Sequence, residues 1–398
     1  MSTALIEFEE ARTRVLEHAR ALPAEAVDIG EALGRVVAAP AHAPSDVPAF
    51  DNSAMDGFAV RSADSGPGAR LRIVGESRAG HPSSAAVRAG EACAISTGAA
   101  MPAGADAVIR VEETHREGDE VVLAIGVGGG NDVRRAGADV RAGTLVIEPG
   151  VRIGPAELGV LASIGASRVT VHPRPRVALV TTGDELVGVA DPLSPGGVRN
   201  SGAYVIPALV AQAGAQTVSV AHAPDDPALI RAAIAAALDA DVTVITGGMS
   251  VGEHDHVTAV LTELGAAMQF AGVALKPGKP FAFATRGATL VFGLPGNPVS
   301  SLITFLLFAR PALLALAGET PRRLRTVAAI DEDCPLEPRR VQALRCRLRL
   351  AADGWHALPT GPQSSHILSS MLGAQALAIV PAGEGTLAAG TQVTVELL

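Results

Sequence analysis

The sequence predicts a multidomain α/β protein whose central domain, residues 173–318, is a doubly wound αβ sheet. Short runs rich in β-branched residues each break into small polar or acidic residues, as strands do where they enter a loop. Segments with helical apolar spacing lie between these runs, which is the alternation expected of parallel βαβ units. The strand-like runs are residues 177–182, 216–220 and 242–246, and the helical patterns are Tyr204 to Ala213 and Ala228 to Leu238.

The amino-acid composition and net charge limit the classes of protein to which the chain can belong. A chain of 398 residues is expected to form about two to four domains. Apolar residues at 48% and charged residues at 18% indicate a well-buried globular protein. Aromatic residues make up only 3% and the net charge is -9, so nucleic acid is not an expected partner. The three cysteines are widely spaced, which favours buried thiols in a reducing compartment over a metal pattern.

The sequence also predicts a cytoplasmic location without membrane insertion. Acids at Glu7, Glu9 and Glu10 stand where a signal peptide would carry positive charge. The longest apolar run, Leu302 to Ala309, ends at Arg310 and is shorter than the ~20 residues that span a bilayer.

Two further modules are predicted on the N-terminal side of the αβ domain. Residues 1–45 and 137–172 are expected to form an elongated helical module, with an amphipathic helix over residues 4–21, a short helix over Ile29 to Val37 and another over Pro155 to Ala166. Residues 46–136 are Gly-rich and rich in short β-like runs, which predicts an inserted β domain.

The C-terminal residues 319–398 predict a small β-barrel-like domain. Three runs have strand character, the first with clean alternation, and turn signals separate them. They are Leu344 to Leu350, Gln375 to Val380 and Thr391 to Leu398.

Three acids in the αβ domain are candidates for a metal site. Glu185, Asp225 and Asp255 each follow the end of a predicted strand, and a doubly wound sheet brings such positions to one rim. Carboxylates suit Mg²⁺, which often also bridges to substrate phosphates. The alternative is that acids in these loops only cap helices; Asp225 and its neighbour Asp226 are both candidates for that cap.

Small residues and cations at the same rim suggest an anion site. Gly247, Gly248 and Ser250 could expose backbone N–H groups; the alternative is that the glycines serve only a tight turn. Lys276 and Lys279 are each followed by a proline and form a rigid cationic corner. Asn297 and Pro298 predict the start of a helix over Val299 to Ala317, which would direct Ser300 and the helix N-terminus at the rim. This combination suits an oxyanion.

A dense polar loop precedes a strand-like run in the N-terminal half. Asp51, Asn52, Ser53 and Asp56 stand within six positions, which no helical or strand period explains. The two acids could bind a cation or a heterocycle, or they could hold the backbone of their own loop.

These segments together resemble the molybdopterin molybdenumtransferase family, the MoeA type that is related to the C-terminal domain of gephyrin. The resemblance runs from about residue 5 to the C-terminus, and the motifs occur in family order. They include Asp51-Asn52-Ser53-Ala54-Met55-Asp56-Gly57, Ser96-Thr97-Gly98-Ala99, Arg134-Arg135-Ala136-Gly137, Thr182-Gly183-Asp184-Glu185-Leu186, Thr246-Gly247-Gly248-Met249-Ser250, Lys276-Pro277-Gly278-Lys279-Pro280 and Gly293-Leu294-Pro295-Gly296-Asn297-Pro298.

The resemblance implies a homodimer that inserts molybdate into adenylylated molybdopterin, cleaves the adenylate with Mg²⁺ and releases AMP with molybdenum cofactor. It implies contacts with molybdopterin adenylyltransferase and acceptor molybdoenzymes. By motif position, Asp56 and Thr97 are expected on a cleft wall contributed by the partner subunit. The catalytic candidates are Asp56, Thr97, Glu185, Asp225 and Asp255, with Glu185, Asp225 and Asp255 as metal ligands; the substrate-binding candidates are Ser53, Thr182, Gly247, Gly248, Ser250, Lys276, Lys279, Pro295, Pro298 and Ser300.

One departure from the family pattern follows the linker into the αβ domain. Asn200-Ser201-Gly202 stands where the family often has Asp-Ser-Asn, which changes the polar side chains available there. Two other functions are considered: a molybdopterin adenylyltransferase, which would consume ATP, and a non-enzymatic carrier or scaffold, which would bind a partner without needing the acids.

Overall fold

In the computed structural model, which describes residues 5–248, 256–321 and 324–398, the chain divides into two units. The large unit contains Met1–Glu25, Gly34–Ala38 and Val171–Leu398. The small unit contains Ala26–Leu33 and Ala39–Thr170. Each unit has its own apolar core and is described separately.

Short strands dominate the first part of the chain. The elements are α1 (Phe8–His18), β1 (Glu25–Asp28), β2 (Ala41–His42), β3 (Asn52–Ser53), β4 (Gly57–Val60), β5 (Arg70–Ser77), β6 (Glu91–Ile95), β7 (Ala107–Arg110), β8 (Thr114–Glu117), β9 (Glu120–Leu123), β10 (Val133–Arg134), β11 (Leu145–Ile147), α2 (Pro155–Ser163) and β12 (Arg168–Val171). In the small unit a six-stranded sheet has the order β7-β4-β6-β5-β9-β8 and is antiparallel except between β5 and β6. Phe58, Leu71, Ile109 and Leu123 are buried in its core.

The predicted helix over Ile29 to Val37 is wrong. The structure has only a 3-10 turn at Ile29–Glu31. Gly34 has φ of 75°, a left-handed conformation that cannot continue a right-handed helix. The apolar residues of this segment suggested a helical face, but the two glycines within it favour a turn.

The large unit contains the expected doubly wound sheet. Its elements are β13 (Arg176–Thr182), β14 (Leu186–Val187), β15 (Val198–Arg199), α3 (Gly202–Gln212), β16 (Gln216–Ala223), α4 (Pro227–Ala237), β17 (Val242–Thr246), α5 (His256–Glu263), β18 (Ala267–Ala271), β19 (Leu275–Lys276), β20 (Ala282–Arg286), β21 (Thr289–Leu294), α6 (Pro298–Thr304) and α7 (Arg310–Leu316). The strand order is β16-β13-β17-β21-β20-β18. The first four strands are parallel, whereas β20 pairs in antiparallel fashion with β21 and with the edge strand β18.

Alternate residues of β13 bury opposite faces of this sheet. Val177 and Leu179 pack in a cluster with α1, α3, α6 and α7, whereas Ala178 and Val180 pack in a second cluster with α4 and α5. Helices therefore cover both faces, which explains why the parallel strands are almost continuously apolar.

One helix of the described residues, Pro298–Leu316, is long and apolar enough to cross a membrane by length and composition alone. It includes a π-helical turn at Phe305–Ala309 between α6 and α7. Of its most apolar window, 67% is buried inside the protein. The ring of Phe308 stacks on Phe281 of the sheet region at 4.4 Å between centroids. Burial of this extent is typical of a helix in the core of a globular protein.

The C-terminal region forms a closed five-stranded barrel. Its elements are β22 (Arg325–Ile330), β23 (Cys334–Pro335), β24 (Val341–Ala351), β25 (Gly354–Pro359), β26 (Ala376–Val380), β27 (Thr386–Leu387) and β28 (Gln392–Leu397). The pairing runs β24-β25-β22-β28-β26 and returns to β24, which removes free sheet edges. The three predicted strands correspond to β24, β26 and β28, so the predicted barrel is confirmed, and β22 and β25 are additional strands.

A buried charge network joins α1 to this barrel. Arg12 is 5% exposed and binds both carboxylate oxygens of Glu396, at 2.6 and 3.1 Å. Arg325 also donates to Glu396, from Nε at 2.9 Å. Burial alone would raise the pKa of Glu396, but Arg12 and then Arg325 outweigh it and hold that pKa below its ordinary value.

Candidate functional site

A pocket of about 720 Å³ opens at the carboxyl ends of four parallel strands of the αβ sheet. We call it the rim pocket. Residues after β13, β16, β17 and β21 all contribute, as the doubly wound topology predicts. Its lining comprises Thr182, Gly183, Glu185, Leu186, Val198, Arg199, Asn200, Ser201, Gly202, Val205, Ile206, Asp225, Thr246, Gly247, Gly248, Pro280, Pro295, Gly296, Asn297, Pro298, Ser301 and His366.

Two of the three predicted acids lie in the rim pocket, although they are 40 residues apart in sequence. Glu185 and Asp225 both line it and are solvent-exposed. The backbone N–H of Asp225 donates to Oδ1 of Asp184 at 2.9 Å, which holds the two acidic loops together. Asp255 lies outside the described residues.

The neighbouring acids Asp225 and Asp226 have different surroundings. Asp226 is the N-cap of α4, and its Oδ1 accepts from the N–H groups of Ala228 at 2.9 Å and Leu229 at 3.0 Å. Asp225 instead faces the rim pocket. The helix-cap alternative therefore describes Asp226, and Asp225 keeps its carboxylate available to a ligand.

The donor set of the rim pocket can be compared with what Mg²⁺ requires. Within the described residues, no group of three or more His, Cys, Asp or Glu side chains is arranged to hold a metal ion. Magnesium sites, however, often use only one or two carboxylates, with substrate phosphates and water completing the shell. Glu185 and Asp225 provide two such carboxylates in one pocket, so they fit Mg²⁺ in ligand type.

Glycines after β17 form one wall of the rim pocket. Gly247 has φ of 90°, and a Cβ atom there would lie 2.5 Å from the carbonyl oxygen of Thr182. Only glycine allows the two backbones to approach this closely. The substrate-binding candidates Thr182, Gly247 and Gly248 thus lie together in the rim pocket, whereas Ser250 lies outside the described residues.

Asn200 preserves polar contacts at the departure from the family pattern. Its Nδ2 donates to Thr181 Oγ1 at 2.9 Å, and its Oδ1 accepts from the N–H of Ala203 at 3.2 Å. Asn200 therefore ties the end of β13 to the start of α3. Gly202 lines the rim pocket through its backbone.

A second pocket of about 400 Å³ adjoins the rim pocket and is rich in cations. We call it the cationic pocket. Pro280, Asn297 and His366 line both pockets, so the two are contiguous. The cationic pocket is lined by Lys276, Pro277, Gly278, Lys279, Pro280, Asn297, Ser300, Arg340, Gln363, Ser364, Ser365 and His366. The structure therefore brings together the predicted residues Lys276, Lys279 and Ser300.

Lys276 is positioned by a short strand of the αβ domain that pairs with a strand of the barrel. Strand β19 pairs in parallel with β24, with Lys276 opposite Gln342. This pairing places Lys276 beside Arg340 and the acid Glu337. Arg340 was not among the sequence candidates, although basic residues are frequent in this part of the chain.

The loop over residues 362–366 depends on a buried arginine that the sequence analysis also missed. Arg345 is fully buried. All its acceptors in the described part of the chain are neutral oxygens, among them the carbonyls of Gln363 at 3.2 Å and Pro362 at 3.2 Å and Ser370 Oγ at 2.9 Å. Burial lowers the pKa of Arg345 to about 10. Arg345 thereby anchors the loop that carries His366 into both pockets.

The proline-rich loop after β21 supports both pockets. Pro295 and Pro298 line the rim pocket, and Ser301 Oγ donates to the carbonyl of Pro295. Pro298 is the first residue of α6 after the N-cap Asn297, as predicted. Ser300, two residues further on, lines the cationic pocket.

The remaining candidates lie in the small unit. Asp56 and Thr97 are exposed, and Asp56 Oδ1 accepts the backbone N–H of Thr97 at 2.7 Å. Ser53 is fully buried and donates to the carbonyl of Met55. Asp51 binds Arg135 at 2.6 Å; its hydrogen bond from the N–H of Ala136 and then this ion pair hold the pKa of Asp51 below its ordinary value. Local backbone support, one of the two interpretations of this loop, accounts for these contacts.

Comparison with known proteins identifies the family. Three family models match in order: "MoeA N-terminal region (domain I and II)" over residues 6–165, "Probable molybdopterin binding domain" over residues 178–315 and "MoeA C-terminal region (domain IV)" over residues 327–398. The chain belongs to the MoeA family, and the predicted family is confirmed.

Proteins similar to this one align with it over most of its length. A molybdopterin molybdenumtransferase from Nostoc sp. is 35% identical over 93% of this chain and 88% of its own length. The protein of that name from Haemophilus influenzae is 33% identical over 98% of both chains. A crystal structure of a molybdopterin biosynthesis MoeA protein from a Pyrococcus species covers 99% of both chains with a TM-score of 0.86 and 31% identity.

Proposed function

We propose that this chain is a molybdopterin molybdenumtransferase that inserts molybdate into adenylylated molybdopterin and releases AMP. Family membership and the names of full-length relatives support the transferase class. The observation that carries the specific reaction is the contiguity of two unlike pockets. A large pocket with two carboxylates opens into a smaller one lined by cations.

The rim pocket suits the larger substrate. Its volume of about 720 Å³ lies in the range of sites for small molecules and cofactors. Val198, Val205 and Ile206 offer an apolar wall for a flat heterocycle, and the glycine wall lets substrate phosphates approach the backbone.

Glu185 and Asp225 would hold Mg²⁺ in this pocket. When bound, Mg²⁺ would neutralise phosphate oxygens of the adenylate and so favour cleavage of the phosphoanhydride. The chain's own contribution is to fix the two acids at the strand ends, partly through the hydrogen bond between Asp225 N–H and Asp184. A preorganised site of this kind stabilises developing charge without reorganisation during the reaction.

The cationic pocket suits molybdate. Lys276, Lys279 and Arg340 supply N–H donors with positive charge, and Ser300 adds a hydroxyl. Charged donors of this kind bind tetrahedral oxyanions strongly. Because the two pockets share lining residues, a dianion in the cationic pocket would lie next to a ligand in the rim pocket.

The assembly and location stay part of the proposal and rest on the resemblance. We propose a cytoplasmic homodimer in which Asp56 and Thr97 contribute to a shared cleft. We also propose contacts with molybdopterin adenylyltransferase and with acceptor molybdoenzymes. Gel filtration with light scattering tests the dimer, and elution at the monomer mass would contradict it.

Reconstitution tests the reaction. Purified protein is mixed with adenylylated molybdopterin, Mg²⁺ and molybdate, while AMP and active cofactor are measured together. We expect AMP release that depends on molybdate and on Mg²⁺, with active cofactor formed in equal amount. Consumption of ATP with molybdopterin would indicate an adenylyltransferase instead. Binding of the pterin without AMP release would indicate a carrier or scaffold.

A further inference from the structure

A single carboxylate is shared by two of the cations that line the cationic pocket. Glu337 Oε1 accepts from Lys276 Nζ, and Oε2 accepts from Arg340 Nη2 at 2.7 Å. Each oxygen of Glu337 therefore serves one cation. The Glu337 side chain is 21% exposed, compared with 41% for Lys276 and 29% for Arg340. A partly buried carboxylate is less screened by salt than a surface one.

The backbone holds Glu337 in a defined position. Its carbonyl accepts from the N–H of Gly383 at 2.9 Å, and the N–H of the preceding Leu336 donates to Gly385 at 2.9 Å. Strand β23 just before it pairs with β27. Glu337 thus lies on an ordered part of the barrel, and its contact with Lys276 follows from the fold.

We propose that Glu337 is an internal counter-anion that competes with the substrate oxyanion for Lys276 and Arg340. The inference deepens the proposed function and rests on it, because it takes the cationic pocket as the oxyanion site. A ligand that enters must draw on the same N–H donors and the same positive charge that Glu337 already uses. A dianion gains more from these cations than a monoanion such as chloride does, so molybdate overcomes the competition from the carboxylate more readily.

The ionisation of Glu337 supports this role. The hydrogen bond from Lys276 and then that from Arg340 hold the pKa of Glu337 below its ordinary value. The carboxylate is therefore charged throughout the neutral range. Its neutral isostere, glutamine, keeps one acceptor oxygen and a similar shape, so Glu337→Gln removes the charge with little change in packing.

The test measures the affinity of the purified protein for molybdate alone by isothermal titration calorimetry. We expect Glu337→Gln to bind molybdate about threefold to tenfold more tightly, the range expected when the two partly exposed charge pairs of Glu337 are removed. We also expect its affinity to fall more steeply with added sodium chloride, because the pocket then carries a larger net positive charge. In the reconstituted reaction, the KM for molybdate should fall, whereas the KM for adenylylated molybdopterin should follow the wild type.

Two matched variants serve as controls. Glu17→Gln removes an exposed acid of α1 that lines neither pocket, and it should bind molybdate as the wild type does. Glu337→Asp keeps the charge on a shorter side chain and should return the affinity toward the wild-type value. Circular dichroism verifies that all variants are folded.

The inference is tested by whether Glu337→Gln strengthens or weakens the binding of molybdate. Weaker or unchanged molybdate binding by Glu337→Gln would mean that Glu337 orients the two cations without competing for them, and the inference would be overturned. If the wild type neither binds molybdate nor releases AMP, the proposed function fails and the inference with it. Wild-type turnover combined with weakened binding in the variant removes the inference alone.

Discussion

Replacing Asp225 by asparagine is expected to remove most AMP release while leaving the fold intact. Within the described residues, the Asp225 carboxylate accepts a single weak hydrogen bond, from the N–H of Asp184 at 3.4 Å. Loss of this hydrogen bond costs less than about 1 kcal/mol of stability. The stronger bond, from the Asp225 N–H to Asp184 at 2.9 Å, is a backbone contact and stays.

The effect on the reaction is expected to be much larger than the effect on stability. Asp225 is one of two carboxylates in the rim pocket, so the variant halves the anionic ligands available from the described residues. Loss of one preorganised electrostatic contact in an active site typically lowers the rate by about 10² to 10³, or about 2.7–4 kcal/mol. We expect AMP release to fall by about this factor and to recover partly at high Mg²⁺ concentration, because the weakened affinity is then compensated.

The adjacent acid provides a matched control. Asp226→Asn makes the same change of charge one residue later, and asparagine is an equally good N-cap for α4. AMP release is measured for both variants over a range of Mg²⁺ concentrations. The reasoning is refuted if Asp225→Asn keeps wild-type activity, or if Asp226→Asn loses as much.

Three further predictions concern the supports of the site. Gly247→Ala should lower the free energy of unfolding by about 2–4 kcal/mol, measured by urea denaturation, because the added Cβ meets the Thr182 carbonyl at a positive φ. Arg345→Met should lower it by about 2–3 kcal/mol and weaken molybdate binding in calorimetry, because buried carbonyls of the 362–364 loop lose their donor. Glu396→Gln should lower stability at neutral pH and flatten its acid dependence. A carboxyl with a depressed folded pKa contributes stability above its unfolded pKa that is lost as pH falls through the folded pKa.

Each of these predictions has a neighbouring control. Gly287→Ala shares a positive φ with open space around it and should cost only about 1 kcal/mol. Arg347→Met changes an exposed arginine two positions along the same strand and should have little effect. Glu17→Gln should leave the acid dependence unchanged. Equal losses in a variant and its control would show that the named contact is not the cause.

Sequence pattern predicted an element correctly where the element's own residues determine its secondary structure. The strands β13, β16 and β17 are β-branched runs with clear breaks, and α6 begins at the Asn297-Pro298 signal. The missed barrel strands β22 and β25 are partly polar, and β22 depends on its pairing with β28 far along the chain. The helix expected over Ile29 to Val37 failed for the opposite reason, since apolar spacing was given more weight than two glycines.

The candidate site, too, could be predicted from the sequence only in part. The acids at the strand ends could be proposed from sequence, because parallel topology brings the carboxyl ends of strands to one rim. The choice between Asp225 and Asp226 could not, because both can cap a helix and only the backbone geometry shows that Asp226 does so. Alternation along β24 places Arg345 on the face of the exposed Arg347, yet the closed barrel and the 362–366 loop bury it.

The sequence by itself determined the family, the doubly wound αβ domain and most of the candidate residues, because these follow from local periodicity and from short motifs in a constant order. Only the tertiary structure decided which cations meet. The parallel pairing of β19 with β24 joins segments about 65 residues apart and sets Lys276, Glu337 and Arg340 in contact. Such contacts depend on closing a long loop and a barrel, and no local pattern encodes their outcome.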